Sequence, residues 1–415
     1  MPYNNWTMPG KVDRGQRWLH SGLAELLLAS EVRAQAAAGN IDSELAWDDA
    51  ISLANQWRVT PQLAARLRSI SIDLPSPSAF LLRRAVIDAF RSSAMRSARG
   101  VEAITALKRA GIRATAFKGL AAISLLYGSP RERTIRDADL IVAEADVSAA
   151  LSCLEVIGFA RRGNETFDQY VQFAVNSPGF AGNLAVTLYA ENEGEIDLHW
   201  RVGTTGMTVE GLLDRSINGK LGASEISVVH PADGFLLTAQ HSVRDNLTVE
   251  SALRDLLDLR LSCEMLLVAG HLDELARRAC ETRLLVPAIA VTTILRGYDP
   301  TEAICSVAEI LSRSATAEQS KSAAGLSRAF HYQLERGNFN KDLLYLVHSR
   351  PIRQVLNGLR NDWSGYRKSQ HSVEDQLNQR RSLTRRAMEL MKSAVRPGKL
   401  NIAREVARAK FETKL

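Results

Sequence analysis

Three aspartates suggest the chemistry open to this chain. Asp137 and Asp139 stand one residue apart at the start of the apolar run ADLIV, and Asp197 stands in a second strand-like hexapeptide, EIDLHW at 195–200. Residues i and i+2 of a strand share a face, so Asp137 and Asp139 can converge on one point. Asp197 on a neighbouring strand would bring a third carboxylate to them. Such a cluster is costly unless a cation neutralises it, and the cation best matched to carboxylates, water and phosphates is Mg²⁺. Upstream, Lys118-Gly119 forms a turn between the strand IRATAF and a short helix reaching Tyr127. Glycine there lets the backbone approach a phosphate, and the helix N-terminus adds partial positive charge. Arg133 and Arg136 flank the aspartates, placed to bind phosphate or to hold the carboxylates. His199 shares the strand face of Asp197, whereas Trp200 points the other way and reads as core.

Rival signatures are missing from the sequence. There is no G-x-x-x-x-G-K-[ST] loop, no G-x-G-x-x-G turn, no H-E-x-x-H and no G-x-S-x-G. The four cysteines (Cys153, Cys263, Cys280, Cys305) lack metal-ligand spacing and read as reduced, mostly buried thiols of a cytoplasmic protein. The start MPYNNWTMPGKVDRG lacks the pattern of a secretory signal, and no stretch is apolar enough for a membrane span. At 415 residues with 46% hydrophobic and 24% charged content, the chain has room for two or three ordinary globular domains. Its net charge of +6 is uneven: residues 380–415 carry eleven Lys/Arg against three Glu, and the rest sums to −2. A basic tail of this kind can touch RNA, a membrane surface or an acidic partner, or can simply be a solvated terminal helix.

The elements that must position these residues fall into three regions. Residues 1–100 read as helical: GLAELLLASEVRAQAAAG stops at Gly39, and DSELAWDDAISLANQWRV is opened by Asp42 and closed before Pro61. Ser76 is placed to cap a long helix over about 78–110, with Phe80, Val86, Ile87, Phe90, Val101, Ile104 and Leu107 at helical spacing and Gly100 as a bend. Residues 101–205 read as a small α/β unit of two strands with intervening helices, then a hairpin, NLAVTLYAENEGEIDLHWRV. Residues 206–415 read as helical again, interrupted near Pro287, Pro300, Pro351 and Pro397.

The order of these pieces resembles the uncharacterised bacterial nucleotidyltransferase family of the polymerase-β-like superfamily. The likeness rests on the Lys118-Gly119 turn after the first strand, Arg133 four residues before Asp137-Ala-Asp139, and the later Asp-Leu-His-Trp strand, and it covers roughly residues 80–260. It implies an α+β fold: a small mixed sheet with flanking helices, embedded in helical N- and C-terminal regions. It also implies transfer of an NMP group from an NTP donor to an unidentified hydroxyl-bearing acceptor, either a small molecule, a sugar, a peptide or a protein. Two Mg²⁺ ions would assist, with Asp137 and Asp139 binding both and Asp197 the one nearest the nucleophile. Lys118, Gly119, Arg133, Arg136 and His199 would contact the nucleotide. The superfamily usually has Gly-Ser at the phosphate turn, and this family commonly has Gly where Arg136 stands, so nucleotide placement here is its own. His241 and the Arg254-Asp255 pair would lie on helices against the cleft, as base or acceptor contacts or as helix-packing residues. Replacing Asp137 or Asp139 by alanine is expected to end turnover and leave the fold intact. A non-catalytic interaction protein on a degenerate scaffold is the alternative, with an RNA-directed enzyme ranked below it because aromatics are only 6% and the excess charge lies far away in sequence.

Overall fold

The computed structural model describes residues 14–336, apart from Asp42 and residues 162–184, 192–193, 203–205 and 245–248. The basic tail, Pro351 and Pro397 lie outside the described residues. The N-terminal stretch divides into α1 (Arg14–Leu28), α2 (Glu31–Gly39), α3 (Glu44–Gln56) and α4 (Thr60–Ser69). Gly39 ends α2, and a break at Ala29-Ser30 separates two helices where one was expected. Ser43 caps α3 by accepting the Ala46 N–H at 3.2 Å, and Pro61 opens α4 instead of merely closing α3.

The long helix α5 (Ser76–Arg109) begins from Pro75, and Ser76 makes no capping bond. Its buried stripe also differs from the expected one. Phe80 and Ile87 are 67% and 43% exposed, whereas Ser93, Ser97, Gly100, Ile104 and Leu107 are buried. The first half meets α3, where Ser78 donates to Asp48 at 2.7 Å, and the second half crosses the sheet.

Among the described residues the sheet has seven strands, ordered β3-β4-β5-β2-β1-β7-β6. They are β1 (Ala114–Phe117), β2 (Ala138–Val142), β3 (Phe159–Ala160), β4 (Ala185–Ala190), β5 (Gly194–His199), β6 (Ile217–Leu221) and β7 (Ser224–Val228). β2 and β5 run parallel, and the hairpins β4/β5 and β6/β7 are antiparallel. The β6/β7 hairpin corrects the all-helical reading after residue 205, because β7 pairs with β1 and extends the sheet to Val228. The signal was present: burial alternates along both strands, and Gly222 turns between them at φ +60°.

Gly100 is where helix and sheet come closest. A Cβ there would stand 2.8 Å from the Ala138 Cβ and 3.0 Å from a Leu120 methyl, so glycine serves close approach at this position. This contact puts Ala138, Leu140 and Val142 on the α5 face, which leaves Asp139 facing away from α5. Gly100→Val should therefore push α5 off β2 and destabilise the protein by about 2–3 kcal/mol. Urea unfolding reads this directly, and wild-type stability would show that α5 can retreat without loss.

The remaining helices are α6 (Lys118–Ala122), α7 (Val147–Val156), α8 (Val209–Asp214), α9 (Pro231–Arg244), α10 (Val249–Val268), α11 (Leu272–Glu281), α12 (Leu285–Tyr298), α13 (Glu302–Arg313) and α14 (Ala317–Arg336). Of these, α7 packs against α5. Pro287 sits in the first turn of α12, where a missing N–H costs nothing. The first and last described helices meet: α1 packs on α14, and Arg33 donates to the carbonyls of Gly297 and Tyr298 at 2.8 and 2.9 Å. One hydrophobic core runs through helices and sheet together.

Candidate active site

The parallel pairing of β2 with β5 does the first assembly step. Its register sets Asp139 directly beside Asp197, with Ile141 beside His199. Ligand atoms of Asp139, Asp197 and His199 all lie within 4.8 Å of one another. Asp137 stands outside that group, since it precedes β2 in a bend and not on the strand. The strand argument thus holds for Asp139 and Asp197, and His199 joins them where Asp137 was expected.

Asp139 is 3% exposed and takes two donors on one oxygen, Lys118 Nζ at 2.7 Å and His199 Nε2 at 3.1 Å. Burial alone would raise its pKa, but the Lys118 ammonium and the His199 hydrogen bond outweigh this and hold the carboxyl well below the usual range. Burial likewise opposes the charge of Lys118, and Asp139 overcomes it, raising the ammonium. The His199 ring stands edge-on to Phe117 with centroids 4.9 Å apart. Asp197 is steadied by Thr187, whose hydroxyl donates to one carboxylate oxygen at 2.6 Å. Among the described residues, no donor reaches the second oxygen of either Asp139 or Asp197, which leaves each an oxygen for a cation.

The turn at Lys118-Gly119 is built differently from expectation. Positive φ falls on Lys118, at +51°, and not on the glycine. A Cβ on Gly119 would come within 2.9 Å of Ile135 and 3.3 Å of the Arg133 guanidinium, so this glycine makes room for protein side chains. The loop before Asp137 is pinned from both sides. Ser93 Oγ accepts the Ile135 N–H at 3.1 Å, and Arg96 donates to the Ile135 carbonyl at 3.1 Å. Arg133, 3% exposed, gives Nε and Nη2 to Asp258 at 2.6 to 3.2 Å and Nη1 to the Thr134 carbonyl at 2.8 Å. Tyr127 also donates to Asp258, at 2.8 Å. The Arg133 charge is therefore matched by a carboxylate of α10.

A cavity of about 260 Å³ opens on this arrangement. Lys118, Gly119, Arg133, Arg136, Asp137 and Asp139 line it from the sheet side. His241 and Arg254-Asp255 line it from α9 and α10, with His241 Nδ1 2.9 Å from Asp255. Gln56 at the end of α3 and Arg58 in the turn before α4 also line it. These two were missed in the sequence, where nothing marks a residue nearly 80 positions upstream of the aspartates as a neighbour of theirs. Asp258 was missed for the same reason, and Thr187 because the register of the β4/β5 hairpin, which sets it opposite Asp197, is not written in either strand alone.

Asp137 is pushed up to about 6 by burial first and then by Asp139 and Asp197. A carboxyl raised on folding stabilises the protein below its unfolded pKa, and that contribution fades as pH climbs through the folded value. Asp137→Asn should thus gain stability over the unaltered protein as pH rises from 4 to 6. The advantage should plateau above 7 at about 2–3 kcal/mol, from a shift of roughly two units. Melting curves of the metal-free proteins across pH 4–8 check this, and a difference that is flat with pH would refute it.

A second group of ligating side chains, His230, His271 and Glu274, belongs to helix packing. Arg215 holds Glu274 at 2.9 Å, and the Ala232 N–H donates to His230 Nδ1 at 3.3 Å, which makes Nε2 the protonated nitrogen facing Glu274. Of the four cysteines only Cys263 is buried and Cys280 is exposed, so the expectation of mostly buried thiols fails. No helix among the described residues is long and apolar enough to cross a membrane.

A small mixed sheet with neighbouring aspartates on parallel strands, a lysine-bearing strand-to-helix turn and helices closing the cleft defines a nucleotidyltransferase-type core. The chain belongs to the uncharacterised nucleotidyltransferase family, which it matches over residues 43–297. That match is wider than the 80–260 resemblance and includes the turn that carries Arg58. The protein is a nucleotidyltransferase, an enzyme that moves an NMP group from a nucleoside triphosphate. No functionally curated protein matches it.

Proposed function

We propose that the protein is a Mg²⁺-dependent enzyme that transfers NMP from an NTP to the hydroxyl of a small molecule, sugar, peptide or protein. The observation that carries this reading is the in-register pair Asp139–Asp197, each with one carboxylate oxygen left without a protein donor; Asp139 lines a cavity rich in cations, and Asp197 and His199 stand behind that lining. The set fits a hard cation, since Mg²⁺ prefers oxygen ligands and keeps several waters. Asp139, Asp197 and Asp137 would hold it, with His199 orienting Asp139 from behind. Bound there, Mg²⁺ supplies neutralisation of charge on the phosphate oxygens.

In the reaction, the acceptor oxygen forms a bond to the α-phosphorus, the bond from that phosphorus to the β-bridging oxygen breaks, and pyrophosphate leaves. The hydroxyl proton passes to a carboxylate. In the metal-free protein Asp139 is held strongly ionised and Asp137 is raised to about 6; a bound cation would lower Asp137 and keep it ionised as a ligand. Lys118 keeps two N–H donors beyond its Asp139 contact and can bridge that carboxylate to a phosphate. Arg133 acts by fixing the loop and α10 together. Gly119 serves that packing, and Arg136, an exposed side chain 3.7 Å from Glu195, can turn toward phosphate.

Calorimetric titration with each of the four NTPs, with and without Mg²⁺, tests the reading, with Asp137→Ala/Asp139→Ala alongside. Binding that needs Mg²⁺ and disappears in the double variant is the expected result. If no NTP binds the unaltered protein, the reading fails.

A further inference from the structure

The arginines of the cavity divide into two kinds. Arg133 is saturated by Asp258 and a carbonyl. Arg58, Arg136 and Arg254 line the same cavity without comparable partners. Arg136 is 3.7 Å from Glu195, and Arg254 is 3.9 Å from Asp255, a carboxylate already engaged by His241. Among the described residues, no carboxylate pairs with Arg58. The buried Nε of Arg254 has no hydrogen-bond partner, an arrangement that is costly unless something else satisfies it.

Arg58 adds backbone evidence. It follows the C-cap Trp57 at φ +59°, with its N–H on the Asn55 carbonyl at 3.0 Å and the Val59 N–H on the Ala54 carbonyl at 2.8 Å. This is the left-handed position that ends helices, where glycine is the unstrained residue. An arginine kept there, against strain, places its side chain where the cavity uses it. The surroundings on balance disfavour its charge: burial first, then Arg254 and Arg136, lower its pKa, and the more weakly acting Asp137 only partly offsets them. Mutual repulsion of this kind calls for an anion between the guanidinium groups.

We infer that Arg58, Arg136 and Arg254 form the subsite for the β- and γ-phosphates of the donor, with Arg58 delivered by the N-terminal helices. This assignment rests on the nucleotidyl-transfer reading and adds to it the residues that distinguish a triphosphate from a monophosphate. The cleft is bipolar, with carboxylates at the sheet for the cation and arginines under the helices for the leaving pyrophosphate. A cavity of about 260 Å³ is smaller than the roughly 300–1,000 Å³ that encloses a drug-sized ligand, so it suits the compact polyphosphate with the nucleoside projecting outward.

The test is calorimetry with inorganic pyrophosphate, an NTP and the corresponding NMP, all with Mg²⁺, on the unaltered protein, Arg58→Gly, Arg254→Ala and Arg58→Lys. Arg58→Gly removes the guanidinium while relieving the backbone. Its melting temperature should be no lower than the unaltered protein's, while pyrophosphate and NTP bind at least tenfold more weakly and NMP changes less than threefold. Arg254→Ala should show the same selective loss, and Arg58→Lys should recover part of it. Pyrophosphate affinity within twofold of the unaltered protein in Arg58→Gly overturns the subsite, as does an equal loss for NMP and NTP. If NTP binding needs Mg²⁺ and Asp139 yet ignores both arginines, the subsite alone is wrong. If no NTP binds the unaltered protein, it is the transfer reading that has failed.

Discussion

Asp139→Asn should reduce nucleotidyl transfer at least a thousandfold and, unlike its neighbour's replacement, should also weaken the fold. The catalytic loss follows from the two jobs of this carboxylate, which offers an oxygen to a cation and holds Lys118 at 2.7 Å. Electrostatic groups of this sort are commonly worth about 10²–10³ in rate singly, and more when two functions rest on one residue. The structural loss follows from burial. Asparagine leaves the Lys118 ammonium without its counter-charge, and breaking a buried pair from one side costs about 3–5 kcal/mol. Lys118 is one-quarter exposed, so the lower end of that range applies. The expectation from sequence, that either aspartate can go without cost to the fold, therefore splits. Asp137→Asn should lose activity and gain stability, because its charge is resisted by burial and by Asp139. Single-turnover rates with urea unfolding on both variants settle the matter. An Asp139→Asn enzyme with even a tenth of wild-type turnover would remove Asp139 from the catalytic set.

The second large effect concerns stability alone. Arg133→Ala should cost about 3–5 kcal/mol, because Asp258 would be left buried and charged with only the Tyr127 hydroxyl against it. That hydroxyl donates and stays un-ionised, since burial and then Asp258 push the Tyr127 pKa well up. The pair is matched within itself, so replacing both partners by apolar residues of similar size, Arg133→Met with Asp258→Leu, should restore most of the lost stability. Denaturant unfolding of the two singles and the double gives the coupling energy. A single variant within 1 kcal/mol of wild type would show that the pair does not hold α10 to the loop. A double variant as weak as the singles would show that Arg133 also meets something its partner does not.

Much of the site was legible because its signals are local. Asp197 and His199 stand in one short apolar run, where strand alternation puts them on one face, and Asp139 stands near the start of another. Lys118 was legible from the strand-to-helix turn. The β6/β7 hairpin was equally local, in its alternation and its Gly222, and was passed over because helices surround it.

What only the tertiary structure decided is who meets whom across long separations. Register between β2 and β5, fixed by backbone hydrogen bonds and by the buried faces of both strands, chose Asp197 as the neighbour of Asp139. A bend before β2 took Asp137 out of the tight group. Packing of α10 on the loop turned Arg133 from a phosphate ligand in expectation into the partner of Asp258, 125 positions away. Arg58 is the clearest case. Its type is ordinary, its spacing says nothing, and its left-handed backbone shows only once the chain is folded. Local sequence specifies which face a side chain takes on its own element. The charge that faces it from another element is set by packing of the whole core, and no short window of residues contains that.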